Sequence, residues 1–172
     1  VLLRGLSMSD SQGDKDVLNM LSAMGTSIEA TPEGILVSPG ALVGAELDLN
    51  STPDALPALA VVGCCARGKT VLRNVPQARI KETDRIRVMA TELSKMGATI
   101  EELEDGLIIR ESGLTGARVR GYHDHRVVMA LSLAGMVANG ETEIDTAESI
   151  DITFPGYVQK MQALGARIRV AT

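Results

Sequence analysis

Three features of the sequence predict an α/β domain with internal pseudo-symmetry. The chain matches itself at an offset of 72 residues: Leu21, Met24, Gly25, Ile28 and Glu29 recur as Leu93, Met96, Gly97, Ile100 and Glu101. The match runs on without a gap through Gly34/Gly106, Leu42/Leu114, Gly44/Gly116, Ala58/Ala130, Gly63/Gly135, Gly68/Gly140 and Thr70/Thr142. Helix-period and strand-period segments alternate inside each copy, and each copy holds one helix that is apolar on nearly every side and must be buried among other elements. A repeat of this length is larger than a solenoid unit and suits a few supersecondary modules packed around a common core. The units span about residues 14–75 and 86–147.

In chain order, Val17, Leu21 and Met24 predict the first amphipathic helix, and Ile86, Met89, Leu93 and Met96 predict its counterpart. Gly25 and Gly97 follow these helices where a left-handed C-cap residue is wanted, and each leads into a short strand, such as residues 98–101. Pro32-Glu33-Gly34 and Glu104-Asp105-Gly106 are turn sequences that lead into strands at 35–37 and 107–109, which makes a hairpin-like pair in each copy. Further strands are expected at 45–48 and 117–120, then the buried helices at 54–66 and 126–138. Gly68 and Gly140 end those helices, and strands at 70–73 and 142–145 close the units. Leu164-Gly165-Ala166-Arg167-Ile168 echoes Met96-Gly97-Ala98-Thr99-Ile100 and opens a partial third unit over 151–172.

Composition narrows the function. A net charge of −5 with 2% aromatic residues lacks the basic stripe and stacking platforms of a nucleic-acid binder. The apolar stretches 55–66 and 127–138 are 12 residues each, too short to span a bilayer. Cys64 and Cys65 are adjacent in an apolar run and lack metal-site spacing, so both read as small core residues. No secretory leader opens the chain, and the absence of a disulfide framework suits the cytoplasm, although Val1 is not a natural start.

Charges gather at helix entrances. Pro53-Asp54 and His125-Arg126 occupy the same place in the two copies, and Asn50, Ser51, Thr52 and Asp124 around them are N-cap types. A helix start favours an anion, so Arg126 there needs negative compensation: a bound phosphate or carboxylate, or a nearby acidic side chain. The run Arg79-Ile80-Lys81-Glu82-Thr83-Asp84-Arg85 precedes the second amphipathic helix, with Thr83 and Asp84 as capping candidates. Glu82 and Arg85, three residues apart, can point the same way. Arginine grips phosphate or carboxylate with two parallel donors and lysine supplies a compact charge. The same pattern also describes a solvated, salt-bridged helix entrance.

The run Arg79–Arg85, followed by Tyr122-His123-Asp124-His125-Arg126-Val127-Val128-Met129-Ala130, closely resembles the two C-terminal signatures of 5-enolpyruvylshikimate-3-phosphate synthases. The likeness continues through Ser11-Gln12-Gly13-Asp14, Asp48-Leu49-Asn50, Pro53-Asp54-Ala55, Leu72-Arg73-Asn74-Val75 and Thr153-Phe154-Pro155, and covers essentially the whole chain. It implies an inside-out α/β barrel lobe built from repeated βαβαββ units, with residues 1–172 as the C-terminal lobe. The N-terminal lobe, with the family's Lys-Ser-x-x-x-Arg motif, does not appear in this sequence.

By this resemblance the full protein transfers the enolpyruvyl group of phosphoenolpyruvate to the 5-hydroxyl of shikimate 3-phosphate and releases phosphate, a step of aromatic amino acid biosynthesis inhibited by glyphosate. Matched by motif position, Asp54 is the carboxylate near the target hydroxyl and Glu82 the one near the methylene carbon. Lys81 contacts shikimate 3-phosphate and shuttles protons, Arg85 and Arg126 clamp phosphoenolpyruvate, and His125 sits beside that clamp. Gln77 stands where many members place an Asn that contacts the shikimate phosphate. Ile152 stands where many carry a Lys for phosphoenolpyruvate. No metal or organic cofactor is implied. Two other readings remain: a sister enolpyruvyl transferase acting on UDP-N-acetylglucosamine, and a non-catalytic anion-binding lobe. For these 172 residues alone, without the other lobe, no turnover is expected.

Overall fold

Local sequence and packing divide the chain into short helices that bury apolar stripes and strands that cover them. A computed structural model describes residues 1–6 and 13–171. In chain order the elements are β1 (Leu2–Arg4), α1 (Asp16–Ala23), β2 (Ser27–Thr31), β3 (Gly34–Ser38), β4 (Glu46–Asp48), α2 (Leu56–Cys65), β5 (Lys69–Arg73), α3 (Arg85–Lys95), β6 (Thr99–Leu103), β7 (Gly106–Arg110), β8 (Arg118–Val119), α4 (His125–Val137), β9 (Glu143–Ile144) and α5 (Tyr157–Ala163). Ser11 and Gln12 of the family-like stretch lie outside the described residues. Among those residues no helix is long and apolar enough to cross a membrane.

Strand order is β1-β3-β2 in one sheet, β4-β5-β7-β6 in a second and β8-β9 in a third. β4 runs parallel to β5 and β8 parallel to β9, each pair joined through a buried helix, whereas β2-β3 and β6-β7 are antiparallel hairpins. The 72-residue offset holds at the level of single hydrogen bonds. Gly44 N–H donates to the Arg67 carbonyl as Gly116 N–H does to that of Asn139, and Val43 N–H donates to the Met24 carbonyl as Thr115 N–H does to that of Met96. It holds for backbone conformation too: Gly25, Gly97 and Gly165 follow their helices at φ 97°, 89° and 95°, where a Cβ would be strained.

Helices α2, α3 and α4 pack on one another in the interior, and β5 and β7 pack on α2. Leu56, Ile86, Met89, Leu93, Leu107, Ile109 and Leu131 are fully buried there. Close helix–strand approach depends on paired small residues: a Cβ on Gly63 would stand 3.2 Å from Thr70 Cβ, and one on Gly135 3.0 Å from Thr142 Cβ.

Three expectations are corrected. Cys65 is exposed at the end of α2, so only Cys64 is a core residue; its thiol is pushed up to about 12 by burial and by its neighbour Cys65. Thr52 does not cap the first buried helix: it is fully buried, its hydroxyl meets Met20 Sδ at 3.8 Å, and a 3-10 turn (Pro53–Ala55) precedes α2. Residues 166–171 form no strand, because β6 obtains its ladder from β7 and no described strand lies beside them.

The Thr70 hydroxyl is buried without a hydrogen-bond partner among the described residues. Thr70→Val keeps the shape and removes the unsatisfied group, so it is expected to stabilise the fold by about 1 kcal/mol. Chemical denaturation measures this, and a loss of stability would refute the account.

Candidate active site

The entrances of α2, α3 and α4 converge, and the charges that the sequence places there meet. Asp54 lies in the 3-10 turn before α2, and Arg126 lies in the first turn of α4. These residues occupy equivalent positions in the two copies, and they pair with each other, Arg126 Nη2 lying 3.1 Å from Asp54 Oδ2. The unfavourable cation at the α4 entrance is therefore compensated from within the protein, by an acid on the sister helix. Asp54 Oδ1 also accepts Lys81 Nζ at 3.3 Å and Arg85 Nη1 at 2.9 Å.

Arg85 begins α3 and is only 1% exposed. Three acids hold its guanidinium: Asp124 takes Nε at 2.8 Å and Nη2 at 3.1 Å, Asp54 takes Nη1, and Glu82 takes Nη2 at 2.6 Å. Asp124 is itself fully buried and caps α4, accepting from the N–H groups of Arg126 at 3.0 Å and Val127 at 3.4 Å, while the Thr83 hydroxyl donates to its Oδ2 at 3.2 Å. One carboxylate thus ends one helix and anchors the first residue of another.

Burial alone would raise the Asp124 carboxyl, but Arg85 and the capped N–H groups outweigh it and hold it below the ordinary carboxylate range. Burial is likewise outweighed at Asp54 by Arg126, Lys81 and Arg85. Burial would lower Arg85, yet Asp124, Glu82 and Asp54 raise it above its ordinary value, so it keeps its charge.

The run Arg79–Arg85 divides into two functions. Arg79 pairs with Asp84 at 2.7 Å and Glu102 at 2.8 Å, and donates to the carbonyls of Leu103 and Glu104, which pins the β6–β7 turn to the α3 entrance. Asp84 is the α3 N-cap, accepting from Arg87 N–H at 3.0 Å. Lys81, Glu82 and Arg85 face Asp54 and Arg126. Gln77 instead donates to the Asn50 carbonyl at 3.0 Å. His125 opens α4 half-buried and has no hydrogen bond or ion pair among the described residues. Ile152 is 79% exposed at the end of a 3-10 segment (Ala147–Ile152). Sequence alone marks Asp124 only as a helix cap and does not reveal its pair with Arg85. Its one signal is that an ionisable residue replaces Thr52 of the first copy.

Because both depressed carboxylates favour the folded state only while ionised, their contribution is complete above the unfolded value of about 3.9 and is lost as pH falls through the lower folded values. Denaturant midpoints are expected to hold above about pH 5 and to fall below about pH 4. Asp124→Asn leaves Arg85 less compensated and is expected to cost about 3–5 kcal/mol at neutral pH and to flatten the acid limb. A change under about 1 kcal/mol in urea titrations would contradict the anchoring role.

Comparison with known proteins gives the family. Residues 1–161 match the family model described as EPSP synthase (3-phosphoshikimate 1-carboxyvinyltransferase). A 3-phosphoshikimate 1-carboxyvinyltransferase of Ruminiclostridium cellulolyticum is 55% identical over 99% of the chain, and one of Methanococcus maripaludis is 43% identical over 99%. The chain spans about 40% of the length of these relatives. A solved EPSP synthase of Acinetobacter baumannii superposes with a TM-score of 0.89 at 30% identity, over 100% of this chain and 43% of that one. The enolpyruvyl transferase NikO of Streptomyces tendae shares the fold, with a TM-score of 0.75 at 23% identity over 91% of this chain and 36% of that one. With three helix entrances gathering the signature charges on an inside-out α/β fold, the chain belongs to the EPSP synthase family.

Proposed function

We propose that this chain is the C-terminal lobe of an enzyme that joins phosphoenolpyruvate to shikimate 3-phosphate and releases phosphate. The observation that carries the reading is the convergence of Asp54, Lys81, Glu82, Arg85 and Arg126, five residues of the family-like stretches from three helix entrances, into one partly exposed charge cluster. Both substrates are anionic, and the cluster holds two partly exposed cations, Lys81 and Arg126, within reach of incoming phosphate and carboxylate oxygens, while Arg85, 1% exposed, becomes reachable as Asp54 leaves it.

In the first step the 5-hydroxyl oxygen bonds to C2 of phosphoenolpyruvate. Asp54 takes the hydroxyl proton and Glu82, protonated once substrate displaces it from Arg85, delivers one to the methylene carbon, giving a tetrahedral intermediate. In the second step the bond from C2 to the phosphate oxygen breaks, the new methyl group returns its proton to Glu82, and phosphate leaves with the proton that Asp54 took. Arg85 and Arg126 hold the charge that develops on the phosphoenolpyruvate part, and Lys81 holds shikimate 3-phosphate and relays protons. Arg85 Nη1 and Arg126 Nη2 are both occupied by Asp54 in the free protein. Anionic substrates that replace Asp54 there release the carboxylate to act as a base. Ion-pair exchange and activation of the base are then one event.

The remainder of the relatives' length supplies the facing lobe in this reading, and closure between lobes excludes water and aligns the reactants. Gln77 and His125 line the substrate-binding margin, and the enzyme works in the cytoplasm on soluble metabolites.

Glu82→Gln in the full-length protein is expected to lower kcat by about 10²–10⁴-fold with a small change in KM, read by phosphate release. Equal kcat would remove Glu82 from proton transfer. The 172-residue chain alone is expected to form no enolpyruvyl product in the same assay, and substantial turnover by it would overturn the two-lobe reading.

A further inference from the structure

Glu92, on α3, is a fully buried carboxylate outside the charge cluster. Its oxygens accept from Lys95 Nζ at 2.7 and 2.8 Å, from the Arg120 N–H at 2.9 Å and from the Tyr122 hydroxyl at 2.9 Å. In the first copy the equivalent position is Met20, a half-buried thioether. The fold therefore does not require an acid there, and the second copy bears the desolvation of a carboxylate in order to make these four bonds.

The bonds fall on a segment that also differs between the copies. Tyr122 and His123 are consecutive left-handed residues, at φ 56° and 55°, whereas their counterparts Asn50 and Ser51 are not. Side chains rarely adopt this conformation without support from their surroundings. Here the support comes from both sides. Glu92 grips the segment at Arg120 and Tyr122. Opposite, Gly121 N–H donates to Asp145 Oδ1 at 2.7 Å and His123 N–H to Thr146 Oγ1 at 3.1 Å. A Cβ on Gly121 would collide with the Val128 side chain and stand 2.6 Å from Thr146 Oγ1, so the segment is also packed without slack. Burial and the Glu92 carboxylate push the Tyr122 phenol above its ordinary value and keep it a protonated donor. The Arg120 guanidinium lies over the Tyr122 ring at 5.1 Å.

The next residues are Asp124, which anchors Arg85, and Arg126, which reaches Asp54. We infer that Glu92 is a positioning residue: by holding Arg120 and Tyr122 it fixes the left-handed turn that aims Asp124 at Arg85 and Arg126 into the substrate site. It touches no substrate itself. The inference rests on the proposed function for its kinetic consequence, though not for its structural one.

The test uses the full-length enzyme with Glu92→Met, the residue of the first copy, and Tyr122→Phe, which deletes a single hydroxyl. Glu92→Met is expected to lower kcat/KM for phosphoenolpyruvate by about 10–100-fold, because misplacing a clamp by an ångström has that effect. Tyr122→Phe is expected to lower it several-fold with little loss of stability, and it carries the test if Glu92→Met does not fold. The Arg85 Nε–H resonance, held by Asp124, reports the aim directly and should shift and exchange with solvent at least about tenfold faster in the variants. Folded variants with parental kinetics and an unchanged Arg85 resonance would overturn the inference. A parent that forms no enolpyruvyl product would instead overturn the functional reading, and the Arg85 resonance would still decide the role of Glu92.

Discussion

The buried guanidinium of Arg85 is the constraint around which the rest of the site is arranged. A fixed charge with 1% exposure is tolerable only if its donors are matched, and the match comes from Asp54 before α2, Glu82 before α3 and Asp124 before α4. Each acid is brought in by a different helix entrance. The same bonds that neutralise Arg85 therefore fix how the three central helices meet, and helix packing and site geometry cannot vary independently. Asp124 does most in this respect, since its two oxygens satisfy helix N–H groups, the Thr83 hydroxyl and the guanidinium together.

Duplication supplies the geometry and divergence supplies the chemistry. The two copies share strand pairings, left-handed glycines and even the left-handed residues Asn74 and Thr146, 72 positions apart at φ 58° and 55°. The copies diverge at equivalent positions: Asp54 against Arg126 and Thr52 against Asp124 at the helix entrances, and Met20 against Glu92 within α1 and α3. Because the entrances converge, a sequence difference between equivalent positions becomes a contact. The Asp54–Arg126 pair is the clearest instance, an acid and a base at one repeat position joined at 3.1 Å. In the proposed function, partly exposed ion pairs of this kind are a reserve of cations that anionic substrates capture by exchange.

Lys81, Arg85 and Arg126 are balanced by Asp54, Glu82 and Asp124 while the site is free. In the proposed function, substrate binding redistributes these existing pairs and does not have to assemble charge from water, which limits the reorganisation left for the reacting step.

The sequence by itself determined the repeat, the order of helices and strands, and which residues stand at helix entrances, because periodicity and turn chemistry are local properties written within a few residues. It also placed Asp54, Lys81, Glu82, Arg85 and Arg126 by motif. Tertiary structure alone decided which charges face one another. Arg79 and Arg85 lie in one seven-residue run, yet one braces a β-hairpin and the other is buried in the site, since side-chain direction at a helix entrance depends on what packs against it. Cys65 follows Cys64 in an apolar run and is exposed, because only the fold says which part of a helix end is covered. The partnership of Asp124 with Arg85 joins residues 39 apart, and no local rule connects them. Burial and long-range electrostatics belong to the assembled helices, and only the assembled helices reveal them.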